Sequence, residues 1–382
     1  MNPLRELAAS GQSVWYDSLR RGILVSGELA RFIEEDGLTG LTTNPAIYEK
    51  ALSGSSQDYE SALARLLPQR ELDAKAIYER LAIQDIQAAA DLLRPVYDRT
   101  ARRDGYVSLE VSPVLAHDAA GTMAEARRLW KELGRENVLI KVPGTPEAVP
   151  VIRSLLSEGI NVNVTLLFSR AAYERVAEAH EAALEHRASR GQDLSRIASV
   201  ASFFVSRVDG MVDGLLETLA ADSTSSGQKA RAEALRGRIG VANAKLAYQD
   251  WRARTAEPRW ARLAGLGAQP QRLLWASTST KNPRYRDVMY VEELIGPETV
   301  DTMPPATFDA FRDHGRVRPT LAADVDGARR AMQELSDLGI SIDQITDRLL
   351  VDAIRLFQEP FAKLLAAIEA RRGEGVGADA PA

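Results

Sequence analysis

One lysine occupies an unusual position in this sequence. Lys141 lies in the run 137–143, which is otherwise almost entirely apolar. Lysine is seldom buried without a partner, and burial disfavours the charged ammonium, which increases the fraction of neutral amine. A neutral amine is the nucleophile that condenses with a ketone to form an imine. A structural salt bridge at a strand end is an equal alternative for a lysine in this position.

Other apolar runs of the chain also hold single polar residues. Side chains alternate along a strand, so polar residues two apart in one run share a face. Each of them alone is compatible with a cap, a turn or an interior hydrogen bond. Together they predict a ring of polar groups around one amine, as barrel enzymes build at the carboxyl ends of their strands. The members of this ring are Asp17, Thr42, Asn44, Glu110, Asn161, Asn163, Thr165 and Ser202.

Two cations follow later apolar runs. Arg207 comes after the sixth run, and Lys281 follows the seventh in a segment that also carries Ser277 and Ser279. Arginine suits bidentate contact with phosphate, and lysine supplies a point charge. The pair is therefore a candidate phosphate site. In the simpler alternative, which the charge pattern alone favours, Arg207 pairs with a nearby aspartate and Lys281 is solvated.

The composition argues against several other kinds of site. The chain has 382 residues, a formal net charge of -5 and no cysteine, so disulfides, catalytic thiolates and zinc–thiolate sites are excluded. The basic residues are scattered and the four histidines do not share a face at metal-ligand spacing. We expect no metal, no cofactor and no nucleic-acid partner.

The sequence also predicts a cytoplasmic location without a membrane contact. Residues 1–12 lack the apolar stretch of a signal peptide. No apolar run approaches the roughly 18 residues that a membrane span needs.

Eight short apolar runs alternate with longer helical segments. This alternation is typical of βα units around a parallel sheet, and the number of runs matches a closed (β/α)8 TIM barrel. An open doubly wound sheet is the alternative, but residues 17–22, after the first run, cannot form its glycine-rich phosphate turn. The predicted strands are 13–17, 40–43, 106–112, 137–143, 161–168, 197–206, 272–278 and 299–303.

The remaining segments predict additional helices on one domain, residues 1–382. We expect a helical insertion at about 210–270 with a Ser/Gly-rich loop at 222–228, and a helical C-terminal region at about 305–370. Residues 373–382 are small and predicted to be a flexible tail. The clearest helical patterns are 119–133, 146–158, 170–190, 239–253, 320–337 and 342–370.

Seven segments, in their order and spacing, resemble the transaldolase family in its long bacterial form. The resemblance runs from about residue 13 to residue 370, nearly the whole chain. One departure is 144–149, where the family more often has Ala before Thr145 and a glycine three positions after it. The matching segments are 14–17, 40–45, 108–113, 137–143, 159–165, 199–209 and 274–283.

The resemblance implies catalytic roles for four residues. Lys141 matches the lysine that forms a Schiff base with the substrate. Asp17 matches the carboxylate that moves the proton of the substrate's C4 hydroxyl. Glu110 matches the carboxylate that acts through a water when the imine forms and hydrolyses, and Thr165 matches the hydroxyl that holds this water.

The resemblance also implies a substrate-binding set. Asn44 and Asn163 match side chains that bind the three-carbon unit, and Ser202 matches a hydroxyl at its dihydroxyacetone end. Arg207 matches the phosphate-binding arginine, whereas Lys281 matches a second phosphate position only loosely because its loop is longer. Thr42, beside Asn44, and Phe204, near Ser202, complete the predicted set.

The implied reaction transfers a dihydroxyacetone unit within the pentose phosphate pathway. The donor is fructose 6-phosphate or sedoheptulose 7-phosphate, and the acceptor is erythrose 4-phosphate or glyceraldehyde 3-phosphate. The imine chemistry requires no metal or cofactor. The chain is expected to act as a homodimer or a monomer.

Two alternatives to this reaction remain open. A fructose 6-phosphate aldolase-like enzyme would release free dihydroxyacetone, but such enzymes typically have Gln at the position of Glu110 and Tyr at that of Phe204. A non-catalytic barrel that serves as a binding scaffold would be expected to have lost part of the polar ring.

Overall fold

Eight parallel strands close into a barrel in a computed structural model that describes residues 2–54 and 56–377. Each strand pairs with the next along the chain, and the eighth pairs with the first. The predicted (β/α)8 barrel is therefore confirmed. The strands are β1 (Gln12–Tyr16), β2 (Gly40–Leu41), β3 (Tyr106–Glu110), β4 (Val138–Pro143), β5 (Val162–Leu167), β6 (Ser199–Phe204), β7 (Arg272–Ala276) and β8 (Thr299–Met303).

Most of the predicted strands extend past the observed carboxyl ends. β2, for example, ends at Leu41, and β7 ends at Ala276. The last residues of these runs no longer pair with the neighbouring strands. They begin the loops at the carboxyl end of the barrel, where several of the polar candidates lie. Apolar pattern alone cannot locate this departure because the side chains stay buried after the hydrogen bonding has changed.

Helices surround the barrel, and two short 3-10 turns, Pro113–Leu115 and Pro146–Ala148, precede α7 and α8. The first nine are α1 (Pro3–Ala9), α2 (Arg21–Val25), α3 (Glu28–Glu35), α4 (Pro45–Gly54), α5 (Ser56–Leu66), α6 (Ala74–Arg99), α7 (Ala119–Leu133), α8 (Val149–Glu158) and α9 (Arg170–Ser189). Eight more follow β6: α10 (Ser206–Asp222), α11 (Ser226–Leu235), α12 (Ile239–Thr255), α13 (Pro258–Gly265), α14 (Met289–Glu293), α15 (Pro305–His314), α16 (Val325–Asp337) and α17 (Ile342–Gly377). In the described ranges, no helix is both long and apolar enough to cross a membrane.

The helical insertion after β6 and the helical C-terminal region are both present, but two local predictions need correction. The observed loop is shorter than the predicted 222–228, because Ser225 caps α11 by accepting a hydrogen bond from the main-chain N–H of Gln228. The predicted tail 373–382 begins inside α17, which continues to Gly377. Residues 378–382 lie outside the described residues.

A polar plug closes the barrel at the amino ends of its strands. The indole N–H of Trp15 donates to Asp104 (2.7 Å), and the guanidinium of Arg272 lies 3.6 Å from the same carboxylate and donates to Ser13 (2.6 Å). Gly40 is required beside Trp15, since a Cβ there would lie 2.4 Å from the indole ring. Among the described residues, the barrel is thus closed at its amino end and open at the carboxyl-end mouth.

The buried carboxyl of Asp301 on β8 predicts a pH-dependent stability. Burial raises its pKa to about 8, opposed by the hydrogen bond from Thr278. A carboxyl whose pKa is higher in the folded than in the unfolded chain stabilises the fold fully below about pH 4, and this contribution is lost as the pH rises to about 8. We expect Asp301→Asn to raise the melting temperature more at pH 9 than at pH 5.

Thermal unfolding at the two pH values, with Asp193→Asn as the control, measures this effect. Asp193 is half-exposed and hydrogen bonds from Ser195 lower its pKa, so its replacement should give no gain at pH 9. An equal change in the melting temperature of Asp301→Asn at both pH values would contradict the prediction.

Candidate active site

Lys141 lies in the barrel interior against the carboxylate of Glu110. The two residues are register partners on β4 and β3, and the Nζ of Lys141 lies 3.1 Å from Oε2 of Glu110. The amine also donates to the main-chain oxygen of Thr43 (3.0 Å). Both side chains are buried, and desolvation raises the pKa of Glu110 despite the nearby ammonium. A carboxyl with a raised pKa is suited to exchange protons with the amine.

Asp17 follows β1 and receives a chain of hydrogen bonds. The hydroxyl of Thr42 donates to Oδ1 of Asp17 (2.6 Å) and lies 2.7 Å from the hydroxyl of Thr302. Because the single proton of Thr42 goes to Asp17, Thr302 must be the donor to Thr42. Burial raises the pKa of Asp17, while Lys141, Thr42 and Arg207 oppose the shift. This environment fixes the carboxylate and makes it a stronger base than a solvated aspartate.

Three side chains near the amine form a second series of hydrogen bonds. The amide of Asn163 donates to the hydroxyl of Ser108 (3.0 Å) and accepts from the hydroxyl of Ser202 (2.7 Å). All three are buried, and this network fixes the rotamer of Asn163 beside Lys141, its register partner. Ser108 was missed in the sequence, where a single serine in a strand carries no distinguishing signal.

Thr165 stands at an irregular point of β5. The pairing of β5 with β6 shifts register between Val164 and Leu167, and Leu166 has a left-handed φ of 60°. Bulges of this kind often re-aim a side chain next to an active site. The hydroxyl of Thr165 is buried and has no hydrogen-bond partner among the described residues, so it can accept or donate to a bound molecule.

The two other asparagines of the predicted ring differ in position. Asn44 lines the cavity at the barrel mouth, and its side-chain oxygen caps α4 by accepting from the N–H of Ile47 (3.2 Å). Its amide nitrogen is thus the group that can face a substrate. Asn161 instead bonds to main-chain groups of Glu136, Val138 and Ala198 at the other end of the strand. Its inclusion in the ring was wrong.

Cations gather on one side of the mouth cavity, whose volume is about 480 Å³. Arg207, Lys281 and Lys50 all line it. Burial lowers the pKa of Lys281, and the charges of Arg207 and Lys50 lower it further. Mutual repulsion between cations is relieved when an anion binds between them. Lys50 was missed in the sequence because nothing there indicates that α4 turns this residue towards the cavity.

Arg207 is not paired with a neighbouring aspartate, as the simpler alternative required. Asp209 accepts from the N–H of Gly240 (2.7 Å), and Asp213 accepts from the N–H of Gly237 (2.9 Å) and the hydroxyl of Tyr285 (2.6 Å). Both aspartates therefore hold the insertion in place. The guanidinium of Arg207 instead lies 5.8 Å from the centre of the Phe204 ring.

The loop after β7 is held in a strained conformation below Lys281. Ser277 has a left-handed φ of 56°, and its hydroxyl lies 2.9 Å from that of Ser206. The ammonium of Lys281 donates to the hydroxyl of Ser279 (2.8 Å). Non-glycine residues adopt this backbone region at a cost, and it recurs at ligand-binding sites.

Helix α17 covers part of the mouth. Leu356 and Phe357 line the cavity, and the Nζ of Lys141 lies 5.6 Å from the centre of the Phe357 ring. The apolar cover limits the access of water to the amine. A larger groove of about 820 Å³ lies between α8 and α9, but none of the candidate residues line it.

Comparison with known proteins identifies the family of this chain. Residues 14–368 match the family model described as Transaldolase/Fructose-6-phosphate aldolase. The chain belongs to this family. A protein of Trichodesmium erythraeum named Transaldolase is 46% identical over 96% of this chain and 97% of its own length. Similar values hold for the Transaldolase of Thiobacillus denitrificans, 46% identical over 96% of this chain and 100% of its own length.

The transaldolase relatives are similar along the whole barrel and its extra helices. Transaldolase 2 of Nostoc punctiforme is also 46% identical, over 96% of this chain and 97% of its own length. These relatives are named Transaldolase, and free cleavage to dihydroxyacetone is therefore the less favoured of the two family reactions. The non-catalytic scaffold is not favoured either, because the buried amine, Asp17 and the cations line one cavity, and Glu110 lies directly against the amine.

Proposed function

We propose that this chain is a transaldolase that transfers a dihydroxyacetone unit between sugar phosphates of the pentose phosphate pathway. The observation that carries the proposal is a buried lysine, Lys141, in one cavity with a carboxylate base, Asp17, and a cluster of cations. A Schiff base requires the amine, carbon–carbon cleavage requires the base, and a sugar phosphate requires the cations.

The first half-reaction begins with the Lys141–Glu110 pair. Glu110 takes a proton from the ammonium, and the neutral amine adds to the C2 ketone of fructose 6-phosphate or sedoheptulose 7-phosphate. The adding nitrogen passes a second proton to the C2 oxygen, and the protonated Glu110 returns the first, so this oxygen leaves as water and an iminium remains. Thr165 holds this water near the imine, and Asn44, Asn163 and Ser202 bind the hydroxyls of the three-carbon unit.

The cleavage step uses Asp17. The iminium withdraws electrons from the C3–C4 bond, which breaks as Asp17 takes the proton of the C4 hydroxyl. An aldose phosphate leaves, and a three-carbon enamine stays on Lys141. A second aldose phosphate, erythrose 4-phosphate or glyceraldehyde 3-phosphate, accepts the unit as the steps reverse. Phe204 and Phe357 keep this intermediate away from solvent.

Trapping with borohydride tests the proposal directly. The protein is incubated with fructose 6-phosphate, reduced, digested and analysed by peptide mass spectrometry. We expect one reduced three-carbon unit on Lys141, and addition of erythrose 4-phosphate before reduction should discharge it. An adduct on another lysine, or none, would overturn the proposal.

The cation cluster predicts a separate effect on phosphate binding. Arg207→Met should raise the KM for fructose 6-phosphate about 10–100-fold, since a hydrogen bond to a charged group contributes about 1.5–3 kcal/mol. Lys281→Met should have a smaller effect because this side chain is partly solvated.

Steady-state kinetics with two acceptors measure the phosphate effect. With glyceraldehyde 3-phosphate as acceptor both variants should lose efficiency, whereas with unphosphorylated glyceraldehyde the acceptor KM should not change. An equal loss with both acceptors would show that Arg207 does not act through the phosphate. The cytoplasmic location and the homodimeric or monomeric state stay predictions from the sequence.

A further inference from the structure

A second, smaller crevice lies behind the Lys141–Glu110 pair. Lys141 lines the substrate cavity, whereas Glu110 lines this rear crevice, so the ion pair separates the two spaces. The crevice lies between β3, α6 and α7, with Phe361 of α17 above it. Its volume is about 10 Å³, which is close to the space that one water requires.

The crevice has the polar groups that would hold a water. Ser112 is buried, and its hydroxyl has no hydrogen-bond partner among the described residues. Its main-chain N–H donates to Oε1 of Glu125 (2.6 Å), which brings a second carboxylate to the crevice. Glu110 offers Oε2, which lies 3.1 Å from the amine but makes no aligned hydrogen bond. A buried water with two to four such partners is stable.

The outer end of the crevice leads towards solvent. Glu125 forms an ion pair with Lys75, whose side chain is 32% exposed. Lys75 and Glu79 also line the crevice and are paired with each other (2.7 Å). Polar groups therefore continue from Glu110 through Ser112 and Glu125 to the protein surface, on the side of the barrel wall opposite the substrate.

The proposed reaction releases and consumes one water at this place. The Lys141 ammonium and the C2 ketone give the iminium and one water, whose two protons come from the ammonium and whose oxygen comes from C2. Hydrolysis of the final imine reverses this balance. A sugar phosphate bound to Lys141 occupies the mouth between the amine and solvent, so the rear crevice offers water a second path to Glu110.

We propose that the rear crevice is a water site and exchange route, in which Ser112 and Glu125 position the water that passes between Glu110 and solvent. This inference rests on the proposed transaldolase reaction. Ser112 and Glu125 act through Glu110 and are positioning residues.

The fate of the C2 oxygen tests the proposal. Fructose 6-phosphate labelled with oxygen-18 at C2 is incubated with erythrose 4-phosphate, and the label at C2 of the sedoheptulose 7-phosphate product is measured by mass spectrometry. With an open rear route, the released water is lost to solvent and the product carries little label. A reaction without enzyme corrects for spontaneous exchange.

Ser112→Val and Ser112→Thr form a matched pair of variants. Their side chains have nearly the same shape, so packing changes are shared, but only threonine keeps the hydroxyl. We expect Ser112→Val to raise the retained label about fivefold, the effect of one lost hydrogen bond, while Ser112→Thr stays close to the unmodified protein. If Ser112→Val does not fold, Ala82→Val fills the crevice from α6 and should produce the same rise.

Equal label retention in all proteins would overturn the proposal and place water exchange at the mouth. An equal rise in both Ser112 variants would do the same, because it would report packing rather than the hydroxyl. Failure of the underlying function is distinguishable: the unmodified protein would then form no sedoheptulose 7-phosphate and no adduct on Lys141.

Discussion

Lys141→Met is expected to lower kcat for transfer by about 10⁵-fold, as removal of a covalent nucleophile does in other enzymes. Methionine approximates the length of the lysine side chain but cannot form an imine. Burial raises the pKa of the Glu110 carboxyl left behind, and loss of the Lys141 ammonium, which lowers this pKa, favours the neutral form further. The loss of activity should therefore not come from an unpaired buried charge.

Borohydride trapping and thermal unfolding distinguish chemistry from stability in this variant. No adduct should form with fructose 6-phosphate, while the cooperative unfolding transition is kept. Lys281→Met is the matched control, since it removes a lysine from the same cavity and should still give an adduct on Lys141. Residual transfer at even a tenth of the normal rate in Lys141→Met would rule out an imine at this position.

Asp17→Asn is expected to lower kcat about 10³-fold, within the range for a general base. Asparagine keeps the shape and can still accept the hydrogen bond from Thr42, but it cannot take the C4 hydroxyl proton. Imine formation needs only Lys141 and Glu110, so it should continue. Borohydride should then trap the whole six-carbon sugar phosphate on Lys141, instead of the three-carbon unit.

The mass of the trapped adduct distinguishes the role of Asp17 in cleavage from that of Glu110 in imine formation. Thr302→Val serves as the control, because it removes the donor to Thr42 without touching Asp17. Thr302→Val should lower kcat about tenfold or less, which corresponds to the loss of one hydrogen bond. The adduct trapped on Lys141 should still have three carbons. A three-carbon adduct that forms at the normal rate in Asp17→Asn would assign the C4 proton to another residue.

Several features of the site follow from the sequence because they depend on residues close together in the chain. An apolar run places Lys141 on a buried strand, and alternation puts Asn163 and Thr165 on one face of another. Eight such runs separated by helical segments are enough to predict the barrel. A barrel places its site at the carboxyl ends of the strands, so Asp17, Asn44 and Glu110 could be identified as candidates.

Other features depended on the closed tertiary structure. The register that makes Glu110 the neighbour of Lys141 is set by the stagger of the barrel, which no single run encodes. Asn161 directly precedes β5, and only the folded structure shows that its amide is used there by main-chain groups next to β4 and β6. The aspartates near Arg207 bind the main chain of the insertion, and only the folded positions of Gly237 and Gly240 leave the arginine free for an anion.

The sequence by itself therefore determined the barrel, its buried lysine and the carboxylates as candidates, because strand periodicity and residue chemistry are local properties. Only the tertiary structure decided which groups share a cavity. Lys50 and Phe357 reach the mouth from helices far apart in the chain, and Ser112 faces the crevice behind Glu110. Such contacts depend on how helices pack around a closed sheet, and the sequence pattern of each helix is compatible with more than one rotation about the barrel.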